Sequence, residues 1–335
     1  MKKILSILLT IALVLSFAGC GAAKNESSAP TEPSVDLSTV ECDVFAIKGP
    51  TGIGLVNLMK KVDDGKGALK YKINLVGSND EIVSKFASTE ADIAAVATNM
   101  AAMLNKTTAS GVTVLAVNTL GVLSLVAKGE EITQIADLKG KTIYTTGQGA
   151  NPEYISKYIL EQNGLTVGTD VTLEFVTEPT ELVAKVVANE KAIVIAPQPV
   201  ATAITVKDAN AKIVFDLNDE WEKVSDTELV MGCVIVRNEF LTDYPEAVEQ
   251  FLKDYEASIK EVNTNVDGAA ALCESYGIVT PAAVAKKAIP YCNIVFQSGK
   301  EMKTNLSAYL KFLFDRNPRS VGGVLPQDNF YYGAN

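Results

Sequence analysis

Two stretches of this sequence, 73–104 and 173–204, align without a gap at an offset of one hundred residues. Val76, Glu81, Val83, Lys85, Glu90 and Ile93 recur as Val176, Glu181, Val183, Lys185, Glu190 and Ile193, and hydrophobic positions agree almost throughout. A repeat of this kind means one supersecondary unit used more than once. Each copy reads as a short strand (72–76, 172–176), a loop with Asn79-Asp80 or Pro179-Thr180, and an amphipathic helix. The apolar face of that helix carries Ile82, Val83 and Phe86, or Leu182, Val183, Val186 and Val187. A second buried strand (92–97, 192–196) and a further helix (100–104, 200–204) follow. Upstream, at a slightly different offset, a strand at 43–48 runs into Gly49-Pro50-Thr51-Gly52-Ile53-Gly54 and a helix at 55–61. Its counterpart at 141–145 runs into Thr146-Gly147-Gln148-Gly149-Ala150-Asn151-Pro152 and a helix at 153–163. Strands alternating with helices predict parallel pairing and right-handed crossovers. The expected fold class is α/β: two similar lobes with mixed, mainly parallel sheets, joined by a two-strand hinge.

Between the copies, the apolar run at 112–127 is long for one strand and holds Asn118-Thr119 in its middle. It reads as a strand pair or an extended connector from lobe one to lobe two. The segment 229–236 runs back, and a helix at 245–262 opens a helical tail that returns to lobe one. This places lobe one at 40–120 and 237–335, and lobe two at 121–236.

The amino terminus is a separate matter. Lys2 and Lys3 precede an uncharged apolar run at 4–17, then Ala18-Gly19-Cys20. This is the pattern of a secretory signal at 1–19. The run is short of the roughly 20 residues that a membrane span needs. Phe17-Ala18-Gly19-Cys20 resembles the bacterial lipobox, although Phe17 stands where Leu is usual. That resemblance implies a Cys20 whose thiol is acylated and which becomes the new amino terminus, anchoring the chain to the outer face of a membrane. The following Ala/Ser/Pro/Glu-rich segment, 20–39, reads as a flexible tether, because it has too little apolar surface to fold.

The residue inventory removes several chemistries. The chain has no histidine, which excludes Ser-His-Asp and Cys-His catalysis and imidazole-rich zinc sites. Its only arginines are Arg237, Arg316 and Arg319, so the first two-thirds hold no bidentate guanidinium for a carboxylate. Formal net charge is −10, with no basic stripe for nucleic acid. Cys42, Cys233, Cys273 and Cys292 have no metal-like spacing. Cys233 reads as a small buried hydrophobe; Cys273 with Cys292 is either a disulfide or a pair of free thiols. No cofactor and no metal are expected.

Ligands of open α/β sheets sit at the carboxyl ends of strands, facing helix N-termini. Here that rule selects four loops: 49–54, Thr98-Asn99, 146–151 and Pro197-Gln198-Pro199. Candidate ligand contacts are therefore Lys48, Pro50, Thr51, Gly52, Thr98, Asn99, Asn118, Thr146, Gly147, Gln148, Gly149, Ala150 and Gln198. Glycine lets a backbone approach a ligand, and Thr51, Thr146 and Gln148 add side-chain donors. Neither Gly-rich loop has GxGxxG or P-loop spacing. Thr98-Asn99 reads equally as a helix cap, Lys48 as a solvated lysine, and Trp221 as core rather than cleft. Glu228 reads as an acceptor for ligand or hinge.

At this point the residues carry a resemblance. Asp137-Leu-Lys-Gly-Lys-Thr-Ile143, followed by Gly147-Gln-Gly149-Ala150, is similar to the second-lobe opening of solute-binding proteins of ABC importers. The narrower likeness is to the nitrate/sulfonate/bicarbonate and thiamine-precursor group, and it extends to the helix beginning at Tyr244-Pro-Glu-Ala-Val. It implies a periplasmic-binding-protein type II fold, a monomer that closes over one small-molecule ligand, and delivery to permease and ATPase subunits. Enzymatic members of the wider set rely on histidine, which this chain lacks, so no enzyme is expected. Helix N-termini with Thr and Gln suit a small sulfonate or other oxyanion, or a neutral pyrimidine. The Gly-rich loops hold no aromatic residue, which leans toward the former. A ligand-sensing lipoprotein that signals to a membrane receptor is the alternative.

Overall fold

The structure, a computed structural model, describes residues 35–334; the leader, Cys20 and the tether up to residue 34 lie outside them. Strands β1 (Glu41–Ile47), β2 (Lys70–Val76), β3 (Ile93–Ala97) and β4 (Val112–Thr119) build the first lobe. Strands β5 (Leu123–Lys128), β6 (Thr142–Thr145), β7 (Thr172–Phe175), β8 (Ala192–Pro197) and β9 (Ala211–Asp216) build the second. The chain then returns through β10 (Gly232–Arg237) and β11 (Ile294–Gln297). The first sheet has the order β11-β4-β10-β3-β1-β2, and the second β7-β6-β8-β5-β9.

Without the edge strand β11, the two sheets have one topology: β2-β1-β3-β10-β4 matches β7-β6-β8-β5-β9. In each, three strands pair in parallel, and one strand runs against its neighbours on both sides. Most strands of each sheet thus point the same way, as expected for an α/β lobe, while the pairings themselves are mixed. The reversed strands, β5 and β10, are the first strands after each passage between lobes. A strand that enters at its neighbours' carboxyl ends must run backward along them.

The 112–127 run resolves into β4 and β5, one in each sheet, with Leu120, Gly121 and Val122 between them. One boundary shifts. Residues 232–236 fall within lobe two in the sequence division, yet β10 is hydrogen-bonded between β3 and β4 of the first sheet. Pairing, rather than position along the returning limb, fixes the lobe to which these residues belong.

Local signals explain the repeated elements. Glu81 and Glu181 do the same work: each carboxylate reaches back to a backbone N–H before its helix, Gly77 at 3.2 Å and Glu178 at 2.8 Å. This is half of a capping box, which satisfies a donor that the helix leaves free. Helices Asn79–Ala87 and Pro179–Ala188 bury Ile82 and Phe86, or Leu182 and Val186, against their sheets. The small residues of β3 (IAAVA) suit a strand covered on both faces. Helix Gly299–Arg316 buries Met302, Leu306, Tyr309, Leu310 and Leu313 in a core cluster that runs through both lobes. Trp221 is fully buried in the same cluster. All four cysteines among the described residues are buried free thiols, including Cys273 and Cys292. Burial pushes the Cys273 thiol up to about 12. No described helix is long and apolar enough to cross a membrane.

At the edge far from the passages, Arg237 joins three strands. Its Nη2 meets Asp92 Oδ1 at 2.8 Å, with both side chains less than 15% exposed, and its Nε donates to Ala91 O at 3.3 Å. Asp92 Oδ2 accepts the Asp43 N–H of β1 at 3.0 Å. Removing one partner of a buried pair leaves the other charge unpaired. Arg237→Met is expected to cost about 3 kcal/mol, read as a lower urea midpoint at unchanged m-value.

Candidate functional site

The register places the carboxyl ends of both sheets beside the passages. In the first sheet Gly232 pairs with Ala97 and Thr119; in the second Leu123 pairs with Pro197, and Ser124 with Asp216. Thr119 and Leu123 are four residues apart, so the two edges stand at most about 14 Å from each other there. The passages are bonded on both sides: Met231 N–H donates to Thr119 O at 3.0 Å, Leu120 N–H to Asn293 O at 3.0 Å, and Gln198 N–H to Val122 O at 2.8 Å. The loops following β1, β3, β6 and β8 therefore leave the two edges that the passages join.

In the first lobe, Thr51, Asn118, Thr119 and Gly232 meet. A Cβ added to Gly232 would fall 2.6 Å from Asn118 Oδ1 and 2.9 Å from both Thr119 Cβ and Thr51 Cγ2. Asn118 Nδ2 donates to the Tyr255 hydroxyl at 2.9 Å. Tyr255 lies beneath the first Gly-rich loop, where a Cβ on Gly54 would sit 2.9 Å from its hydroxyl. Burial pushes the Tyr255 phenol well above its ordinary value, so it stays neutral. Ser258 on the same helix, Pro245–Thr264, donates to Gly54 O at 2.6 Å and accepts the Leu58 N–H at 3.1 Å. Pro50 occupies the first position of the short helix Pro50–Ile53, which suits its fixed φ.

In the second lobe, the loop 146–150 leads from β6 into helix Asn151–Gln162. Thr146 is buried, while Gln148 and Gly149 are exposed. Gly147 has φ +72°, and a Cβ there would collide with Pro152 at 2.8 Å. The N–H of Gly149 is already occupied, since it donates to Glu153 Oε2 at 2.6 Å. Burial raises the Glu153 carboxyl, but this bond and the Lys157 ammonium outweigh it and hold it below its usual range. The loop's own carboxylate thus takes one of the donors that an anionic ligand would use. Asp216, at the carboxyl end of β9, is pushed by burial up to about 6.

Two of the expected contacts have side chains that are engaged within the protein. Thr98 is fully buried and its hydroxyl donates to Val230 O at 2.9 Å, pinning the second passage. Gln198 has both ends of its amide committed: Nε2 donates to Ser124 Oγ at 3.1 Å, and Oε1 accepts the Thr202 hydroxyl at 2.8 Å. Both side chains are hydrogen-bonded within the protein. Gly52 is explained by the tight turn, because a Cβ there would fall 2.7 Å from Ile47 O. Lys48 is exposed and its backbone N–H donates to Val76 O at 3.0 Å; Asn99 and Ala150 are half-buried at their loop ends. Glu228 is held by Gln297 and Asn305, at 2.8 and 2.9 Å, as part of the second passage.

Sequence reasoning missed Thr119, Thr145, Asn151, Gly232 and Tyr255. Asn118 Oδ1, Thr119 Oγ1, Thr145 Oγ1 and Asn151 Oδ1 are buried without a hydrogen-bond partner. All four sit at or just past the carboxyl ends of β4 and β6. Buried polar atoms are almost always paired, so four unpaired ones at facing edges mark a place built for something polar. Tyr255 gave no signal, because its spacing with Val248, Phe251, Ile259 and Val262 is that of an ordinary apolar face. Among the described residues no cluster could hold a metal ion.

Gly232→Ala forces its Cβ against Asn118, Thr119 and Thr51. It is expected to lower stability by about 1–3 kcal/mol, measured by urea unfolding, and Gly77→Ala, where the nearest atom is Glu81 Oε1 at 3.4 Å, is the control for an uncrowded glycine.

A family model described as Menaquinone biosynthesis matches residues 73–310. No curated protein matches the chain in sequence. Solved structures do share its fold. One is an ABC transporter protein from Parabacteroides distasonis, 22% identical, with TM-score 0.73 over 88% of this chain and 98% of that one. Another is the periplasmic aliphatic sulphonate binding protein SsuA from Escherichia coli, 15% identical, with TM-score 0.67 over 87% and 93%. A third is the periplasmic nitrate-binding protein NrtA from Synechocystis PCC 6803, 14% identical, with TM-score 0.63 over 83% and 82%. The fold is that of the type II periplasmic binding proteins, and the chain belongs to the Menaquinone biosynthesis family, whose model spans more than half of it.

Proposed function

We propose that this chain is the substrate-binding component of an ABC importer, held outside the membrane by a lipid on Cys20 and working as a monomer. Its two lobes close over one small solute and present it to a permease driven by an ATPase. The observation that carries this reading is the pair of carboxyl edges joined by two passages, with the unpartnered side-chain oxygens Asn118 Oδ1, Thr119 Oγ1, Thr145 Oγ1 and Asn151 Oδ1 at or just past them. Each lobe contributes to the site, so a bound solute favours the closed arrangement by the contacts it makes with both. The proposed contacts are Thr51, Asn118 and Thr119 from the first lobe, and Thr145, Thr146, Gln148, Gly149 and Asn151 from the second. These groups are neutral, and a small sulfonate or oxyanion, or a pyrimidine, matches their hydroxyls and amides. The similarity in fold to sulphonate- and nitrate-binding proteins supports the first class.

The family description favours a second reading, in which the same cleft takes an intermediate of menaquinone biosynthesis. Turnover of such a compound by the purified protein would select it.

The test is a thermal-shift screen with sulfonates, oxyanions, pyrimidines and amino acids. A solute at a hundred times its Kd adds about 2.7 kcal/mol, which raises the melting temperature by several degrees. A Cβ on Gly149 points into open space, at φ +75°. Gly149→Leu is expected to cost about 1–2 kcal/mol in the left-handed conformation, keep the fold and abolish the shift, and an unchanged shift removes this loop from the site. For the anchor, Cys20→Ser is expected to end incorporation of labelled palmitate and release the protein from the membrane fraction; persistent labelling refutes a lipid on Cys20.

A further inference from the structure

Helix Gly299–Arg316 bridges the lobes. It packs on β4 and on helix Thr98–Thr107 of the first lobe. Its Phe312 meets Trp221 and Tyr158, on the second-lobe side, at 4.7 and 5.2 Å between ring centroids. Arg316 lies over the Phe312 ring at 3.7 Å and the Tyr158 ring at 4.6 Å. Near its start, Asn305 holds Glu228 of the second passage at 2.9 Å. Just past its end, Asn317 Nδ2 donates to the Tyr154 hydroxyl at 2.8 Å, and that hydroxyl donates to Gly149 O at 2.9 Å. The two bonds are compatible, since a phenol has one proton to give and lone pairs to receive.

We propose that the relay from Asn317 through Tyr154 to Gly149 is a positioning device, by which a helix packed on the first lobe sets the backbone of the second lobe's Gly-rich loop. This rests on the reading of that loop as part of the solute site. Gln148 and Gly149 are exposed, and Gly147 and Gly149 both have positive φ. A loop of that kind has little rigidity of its own. It is fixed from two sides: Glu153, on the following helix, holds the Gly149 N–H, and Tyr154 holds the Gly149 carbonyl. Only the second restraint continues into the other lobe. Movement about the two passages changes the Asn317–Tyr154 distance, so the approach of the lobes and the shape of the loop are coupled.

Asn317→Asp tests this with little disturbance. Asn317 Oδ1 also accepts the Arg319 N–H at 3.1 Å, and a carboxylate keeps that cap. It removes the donor to Tyr154, however, and draws the phenolic proton away from Gly149. The amides of Gly149 and Ala150 are expected to exchange about tenfold faster by NMR, the factor set by losing one net hydrogen bond. Amides of β6 and β8 are expected to be unchanged. Tyr154→Phe should reproduce the effect, and the double variant should be no faster than either single one, because the two residues act in series. Unchanged exchange in Asn317→Asp, or effects that multiply in the double variant, overturns the proposal. For any solute found by thermal shift, both variants should raise its Kd; an unaltered Kd overturns the link to the site. If the exchange coupling is present and no solute binds, the relay stands and the importer reading fails.

Discussion

The structure depends on how a chain can pass from one sheet to another. A connection that leaves the first lobe at the end of β4 enters the second beside the ends of β8 and β9, and the strand it forms there must run against both. The return passage imposes the same condition on β10. Because both passages start and end at carboxyl edges, those edges are tied together. The loops after β1, β3, β6 and β8 therefore leave the joined edges, and the two sheets are connected by 120–122 and by 217–231.

Two of the chain's arginines are engaged by other parts of the protein. Arg237 is committed to Asp92 at the far edge, and Arg316 lies on aromatic rings outside the cleft. Lys128 pairs with Asp208 at 2.6 Å on the second lobe. One donor of the second Gly-rich loop, the Gly149 N–H, already holds Glu153. What lines the edges is a set of hydroxyls and amides, several buried and without partners. Such groups are costly to leave unsatisfied, so their gathering at one place is a stronger pointer than any glycine motif. Tyr255 extends the set downward: it anchors Asn118 from a helix that arrives more than a hundred residues later in the chain.

Much of the fold was legible because it is written twice. The strand–helix–strand–helix order follows from local patterns that a second copy reinforces, and Trp221 is core as expected; the capping bonds of the recurring Glu81 and Glu181 appear only in the structure. The site was legible only as loops. Thr98 and Gln198 stand in two of the four expected loops, and their side chains turn inward to Val230, Ser124 and Thr202. No local pattern records which way a polar side chain at a strand end will turn, because its partners come from the other lobe or from the returning strand. Gly232 and Tyr255 were invisible for the same reason: each acts on residues distant in sequence.

The sequence by itself determined the α/β class, the two similar lobes and the loops that follow the strand ends, since hydrophobic period and turn chemistry are local and the repeat doubles their weight. Only the tertiary structure decided where one lobe ends and the other begins, which polar groups remain free, and how helix Gly299–Arg316 reaches the Gly149 loop. Those outcomes depend on strand pairing and on contacts between segments far apart in the chain, and a linear pattern carries no record of either.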